Sequence, residues 1–115
     1  IYTTRDTLSL HDALPIFVEA GARVVDSAVR GPAIIGAGAL IENAYVGPYT
    51  AISANAVVCR AEVEHSILLE QSRVEGLDAR VESSLVGRDV TIVRGNAKPR
   101  AYRFMVGDHS QIELL

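Results

Sequence analysis

Branched apolar residues recur along this chain at steps of six, five and six: Val18, Val24 and Val29, then Ile35, Ile41 and Val46, then Ile52, Val58 and Val63. Val18, Ile35 and Ile52 are therefore 17 residues apart, and so are their followers. A helix repeats every 3.6 residues and a strand every two, so neither needs this period. A solenoid that buries one residue per face on every turn does.

From Val18 onward each aliphatic residue opens a step, with a small residue four places later: Ala22, Ala28, Ala33, Ala39, Thr50 and Ala56. Tyr45 breaks that run. The spacing predicts a triangular prism, with branched side chains filling the faces and small ones the corners. Gly36, Gly38 and the Gly31-Pro32 and Gly47-Pro48 pairs fall between the aliphatic anchors, where the backbone must turn. Short strands then stack into three parallel sheets, each residue resting on its equivalent one coil away. A helix is the first rival, since Val18, Ala22, Val25 and Val29 also suit one helical face. Gly21, Gly31, Pro32, Gly36, Gly38, Gly47 and Pro48 oppose it, each costing about 1–3 kcal/mol in a helix interior. An antiparallel sandwich would show strict alternation and variable hairpin turns rather than a retained register.

The register loosens after Val63. Leu69 keeps the next 17-residue step, Val74 falls one place early, Val81 one place late, and Val86 and Ile92 return to phase. A bulge is expected near residues 76–78. Beyond Ile92 the pattern stops, and residues 94–100 read as a turn or excursion. Residues 106–112 restore a single hexad, so a closing strand is expected there, with Tyr102 and Phe104 capping the open end of the core. The fold expected is all-β: a parallel β-helix of about four to five coils over residues 17–93, with an excursion and C-terminal capping strand over residues 94–115.

Residues 1–16 stand apart. Residues 7–16, Thr-Leu-Ser-Leu-His-Asp-Ala-Leu-Pro-Ile, resemble one reading frame of the constant portion of a short-read sequencing adaptor. Ile1, Tyr2 and Thr3 resemble its upstream constant part, with Thr4, Arg5 and part of Asp6 as the variable index. The segment lacks the apolar core and small-residue cleavage site of a signal peptide. It is set aside as non-native, and His11 and Asp12 with it; the natural protein is expected to begin upstream of Phe17. Without Arg5, Asp6 and Asp12 the 11 basic and 14 acidic residues become 10 and 12, a balance of -2 instead of -3.

That mild acidity, with no basic block, disfavours nucleic acid and anionic membrane surfaces as partners. Apolar runs such as Ala33-Ile34-Ile35 fall far short of the roughly 20 residues that span a bilayer. Cys59 has no partner within the chain, which excludes an internal disulfide and fits a reducing, cytoplasmic setting. It reads as a small, semi-buried filler, because a reactive thiol needs a base or cation that the sequence does not place.

The tripartite pattern, with Ile35-Gly36-Ala37-Gly38-Ala39 and Val46-Gly47-Pro48-Tyr49-Thr50, resembles the bacterial hexapeptide-repeat family of left-handed parallel β-helices. That hand is an exception to the usual right-handed crossover. Arg30-Gly31-Pro32, residues 41–50, residues 61–70, Ser84-Leu85-Val86-Gly87-Arg88 and Gly107-Asp108-His109-Ser110 together resemble the C-terminal domain of long-form glucose-1-phosphate thymidylyltransferases, a sugar-phosphate nucleotidyltransferase family. The Glu64-His65-Ser66-Ile67 block and the terminal Gly107-Asp108-His109-Ser110 discriminate best, since many acyltransferases share the single hexads.

The resemblance implies a parent enzyme that transfers a thymidylyl group from dTTP to glucose 1-phosphate, releasing pyrophosphate with Mg2+. Such chemistry needs a Gly-rich phosphate loop and metal-holding carboxylates. In the family these lie in an N-terminal catalytic domain that this chain lacks. No catalytic, cofactor-binding or metal-ligating residue is therefore assigned, and Gly36 and Gly38 read as corner residues rather than a nucleotide loop. The implied partners are the missing catalytic domain and further copies in a homo-oligomer, and the implied role is structural or regulatory. A second reading is a stand-alone hexapeptide acyltransferase, in which His65 deprotonates the acceptor and acetyl-coenzyme A lies between prisms. Against it, His65 is the sole histidine among the coils. A carbonic anhydrase on this fold needs three histidine ligands, and only His65 and His109 remain. A non-catalytic scaffold is the third reading. Asp108 and His109 would either contact a neighbouring domain or cap the prism.

Overall fold

The computed structural model describes residues 2–3, 7–8, 15–95 and 101–115. Two short strands, β1 (Tyr2–Thr3) and β2 (Thr7–Leu8), precede a series of coils. The first coil holds β3 (Ile16–Val18), β4 (Arg23–Val25) and β5 (Ala28–Val29); the second holds β6 (Ala33–Ile35), β7 (Leu40–Glu42) and β8 (Tyr45–Val46). The third holds β9 (Thr50–Ile52), β10 (Val57–Cys59) and β11 (Glu62–Glu64), and the fourth β12 (Ile67–Leu68), β13 (Arg73–Glu75) and β14 (Val81–Glu82). A fifth, partial coil ends with β15 (Leu85–Val86) and β16 (Thr91–Val93).

These strands stack into three sheets, as the stride requires. Sheet I runs β3-β6-β9-β12-β15, sheet II runs β4-β7-β10-β13-β16, and sheet III runs β5-β8-β11-β14. All pairings between coils are parallel. On the outer edge of sheet III, β1 pairs antiparallel with β5 and with β2, so the leading segment covers a strand edge that would otherwise lie open. Sheet I begins one residue before Phe17, since Ile16 pairs with Ala33 and packs against the core.

The core is a set of ladders. Val29, Ile35, Ile41, Val46, Ile52, Val58, Val63, Leu68 and Val74 are all fully buried, each stacked on its equivalent in the adjoining coil. Two residues before each aliphatic side chain from Val24 to Val74 lies a small one, Ala22, Ser27, Ala33, Ala39, Ala44, Thr50, Ala56, Ala61, Ser66 and Ser72, while Ile16 and Val90 hold that place before Val18 and Ile92. Residues i and i-2 of a strand face the same way, so both point inward and the smaller one occupies the corner. The spacing of four places was therefore out of phase at sheet III, where the step is five: there Ser27 and Ala44 fill the corner, and Ala28 and Tyr45 face outward. Tyr45 breaks no pattern.

The register change is also corrected. Leu68, not Leu69, pairs with Ile52 and is fully buried. The corner between sheets III and I is one residue shorter after Val63 and again after Val81, where Glu64-His65-Ser66 and Glu82-Ser83-Ser84 replace longer Gly-Pro turns. Ser66 Oγ bridges this corner, donating to Glu64 O at 2.8 Å and accepting from Ser84 N at 3.1 Å. The expected bulge at residues 76–78 restores the phase. Val81 follows Val74 by seven residues where Val63 follows Val58 by five, the extra two falling in the connection of residues 76–80 between β13 and β14, in which Gly76 takes φ +63 and Leu77 packs on the core.

The expected C-terminal capping strand is not formed. No strand follows β16 among the described residues, and the hexad at Val106 yields only a turn at Asp108 and His109. Phe104 stands two places before Val106, at a position that holds Ile16 and Val90 in the end coils and small residues between them. Tyr102 and Phe104 stack on each other at 6.0 Å and stay exposed. Residues 96–100 of the expected excursion lie outside the described residues.

Candidate functional site

With the inward residues committed to the core, chemistry can reside only on the outward columns and at the corners. The column of sheet III turns polar after Ala28: Tyr45 and Glu62 are in register with it, and Arg80 comes just before the aligned Val81. Arg80 forks onto two carboxylates of the preceding coil. Its Nη2 and Nε donate to Glu62 Oε1 at 2.7 and 3.0 Å, and its Nη1 donates to Glu64 Oε2 at 2.9 Å. The guanidinium also lies 5.1 Å from the Tyr45 ring centroid, a cation–π placement. Hydrogen bonds donated to Glu62 and then to Glu64 hold the Arg80 proton more firmly than usual, against a smaller opposing effect of burial. A shallow open groove beside this column is lined by Asp26, Asn43, Tyr45, Arg60, Glu62 and Leu77, among others.

The column of sheet II carries Cys59 between Glu42 and Glu75. Its thiol is buried and accepts from Arg60 Nη1 at 3.3 Å. Burial pushes the thiol pKa up; Arg60 opposes this, and Glu42 and Glu75 add to it. The structure thus sets beside the thiol a cation, Arg60, that the sequence alone did not place, and burial outweighs its effect.

His65 sits at a corner with φ +50 and an exposed ring, 5.2 Å from the ring of Tyr49. Its backbone N–H donates to Pro48 O at 3.1 Å. Among the described residues no side chain hydrogen-bonds its imidazole to fix a tautomer, which a general base requires. Asp108 and His109 lie in the exposed C-terminal turn, where Ser110 Oγ donates to Gly107 O at 2.8 Å. Gly36 and Gly38 serve the corner: a Cβ on Gly36 would lie 2.7 Å from Ala54 N of the next coil, and one on Gly38, at φ +70, would run into Asn55. Magnesium does not fit the described residues. No group of three potential ligands occurs among them, and Glu62 and Glu64 are already shared by Arg80.

The sheet I column was not singled out by sequence reasoning. Phe17, Ile34, Ala51, Ile67 and Leu85 are in register on its outer side, and all are apolar. Reading outward positions by coil would have found it.

Compared with known proteins, the chain is 43% identical over 99 residues to a glucose-1-phosphate thymidylyltransferase of Streptomyces antibioticus and 42% identical over 99 residues to that of Streptomyces griseus. Each match covers 86% of this chain and 28% of the relative, so the chain spans a little over a quarter of their length. A low-salt glycan biosynthesis nucleotidyltransferase of Haloferax volcanii is 36% identical over 73 residues, 61% of this chain and 20% of that protein. No protein-family model matches the chain, and no solved structure matches it significantly.

Proposed function

We propose that this chain is the β-solenoid part of a sugar-1-phosphate nucleotidyltransferase, and specifically of a glucose-1-phosphate thymidylyltransferase that forms dTDP-glucose and pyrophosphate from dTTP and glucose 1-phosphate. The observation that carries this reading is the similarity to the two Streptomyces enzymes over 86% of the chain. The role proposed for the coils is structural: they support the catalytic domain and hold subunits together, with Mg2+ bound elsewhere in the parent. The setting proposed is the cytoplasm; among the described residues no helix is long and apolar enough to cross a membrane.

The acyltransferase reading gains no support from His65, whose exposed ring has only Tyr49 beside it. The decisive experiment is to recover the coding sequence upstream of the Phe17 codon in the source genome. An in-frame nucleotidyltransferase domain is expected there, whereas an immediate start codon would overturn the proposal. The purified chain, given dTTP, glucose 1-phosphate and Mg2+, is expected to form no dTDP-glucose.

A further inference from the structure

The C-terminal segment contains a piece of backbone that the coils already use. At each corner between sheet I and sheet II the third residue of a four-residue turn takes a positive φ: Gly21 +78, Gly38 +70, Asn55 +59, Gln71 +61 and Asp89 +56. His109 takes +61 at the same place in the turn of residues 107–110. Positive φ is uncommon for residues other than glycine, so its recurrence at the equivalent position is specific. The corner turns close from the fourth residue to the first, with Ala39 N donating to Gly36 O at 3.1 Å and Ser72 N to Leu69 O at 3.2 Å. In the terminal turn Ser110 Oγ joins the same two places, donating to Gly107 O at 2.8 Å. A coil corner is formed there without its coil.

The flanking residues say which coil it would follow. At an offset of 20, Val106, Gly107 and Ile112 repeat Val86, Gly87 and Ile92. In that register Asp108 falls on Arg88, which already meets Glu70 of the coil before at 3.4 Å, and His109 falls on Asp89. Both matches are acid on base. Met105 falls on Leu85 and prolongs the apolar outer column of sheet I.

We propose that residues 104–113 are a strap that closes over the open end of the solenoid, with residues 105–106 adding parallel to β15 and residues 111–113 parallel to β16. These are the end strands of sheets I and II, and an unpaired edge invites any extended segment. Closure lays Val106 on Val86 and Ile112 on Ile92. Val106, 51% exposed, and Ile112, 48% exposed, then leave water together with Val90. The reach is sufficient: residues 94–104 separate β16 from Met105, two more than residues 76–84 that separate β13 from β15.

Two terms oppose closure and make the strap a two-state element rather than a permanent further coil. Ordering the strap costs backbone entropy. Phe104 would also lie on Ser84, at a corner position where its bulk fits poorly. The open form described above is one state, and the closed form hides the last ladder and both edges.

The test uses the whole chain in a Cys59→Ser background, with variants whose circular dichroism is that of the parent. Leu85→Cys with Met105→Cys should be linked within one molecule by a short bis-maleimide at least tenfold faster than Ile34→Cys with Met105→Cys, which sits three strands further along sheet I. Digestion and mass spectrometry read the product. Arg88→Asp should slow the linking about threefold, and adding Asp108→Arg should restore it. Phe104→Ser, which copies Ser84, should speed it. Equal rates for the two cysteine pairs overturn the proposal, as does a product that joins two molecules instead of one. An Arg88→Asp effect that Asp108→Arg leaves unrelieved overturns the register, and slower linking in Phe104→Ser overturns the account of what holds the strap open.

Discussion

Leu68 and Leu69 are neighbours of identical chemistry, so truncating each to Ala isolates the effect of register. Leu68 is fully buried and lies between Ile52 and Val86 in the sheet I ladder. Removing three carbons forfeits about 0.8 kcal/mol each, or about 2.4 kcal/mol of transfer free energy. The cavity adds to this, because stacked coils held by backbone hydrogen bonds on both sides cannot collapse into it, and the total should be about 3–4 kcal/mol. Against a domain stability of about 5–15 kcal/mol that is a large fraction, and it lowers the melting temperature by roughly 15 °C or more. Leu69 is half-buried at a corner, where its N–H donates to Val86 O at 2.9 Å and its carbonyl accepts from Ser72 N at 3.2 Å. Those backbone bonds survive the substitution, so Leu69→Ala should cost about 1 kcal/mol or less. Urea titration followed by circular dichroism measures both. A Leu69→Ala cost equal to or above that of Leu68→Ala would refute the shortened corner after Val63 and with it the account of the register.

Four further outcomes follow from the same geometry. Ser72 Oγ is buried with no hydrogen-bond partner among the described residues, in a corner ladder whose preceding members are Ala22, Ala39 and Ala56; Ser72→Ala should raise stability by about 1 kcal/mol in a denaturant titration. Gln71 holds φ +61 at a corner where earlier coils place Gly21, Gly38 and Asn55, so Gln71→Gly should raise the unfolding free energy by about 0.5–1 kcal/mol in the same titration, and a loss would deny the strain. Gly36→Ala forces a Cβ to within 2.7 Å of the next coil's backbone and should cost about 3 kcal/mol, read from the same titration. For Cys59 the folded pKa is raised above the ordinary value of 9.0, so its contribution is complete below pH 9.0 and is lost as pH rises through the folded value. Cys59→Ser should flatten that alkaline limb in melts from pH 8 to 11, and a thiol reagent at pH 7 should label Cys59 slowly unless the chain is unfolded.

The solenoid was legible because a stacked coil imposes one constraint on every turn. An inward position must match the width of the prism, so Ile35, Ile41 and Ile52 announce the stride whatever else varies. The phase within a step was less legible. At sheet III a step of five moves the inward pair, and Ala28 before Val29 looks as suitable for a corner as Ser27 until strand direction is known. Two shortened corners and one lengthened one cancel between Ile52 and Val86, a span of 34 residues that equals two regular coils. Such compensation hides from any count that tracks only total phase. The C-terminal hexad misled for a different reason: aliphatic spacing at Val106 and Ile112 is satisfied, yet no strand forms there among the described residues, and Phe104, bulkier than Ile16 or Val90, stands at the corner position.

Outward positions obey no such constraint, which is why they carry whatever distinguishes this solenoid from others. Each outward residue has its equivalents directly above and below at about 4.8 Å, so a column accumulates one chemistry if selection or packing demands it and otherwise stays mixed. Sheet II stays mixed. Sheet III has converted its column into a cross-coil tie, with Arg80 reaching Glu62 and Glu64 at 2.7 and 2.9 Å, a contact that is screened by salt and adds little to stability because both ends are wet. Sheet I keeps apolar residues at five successive levels, where solvent would favour polar ones and the core gains nothing from them.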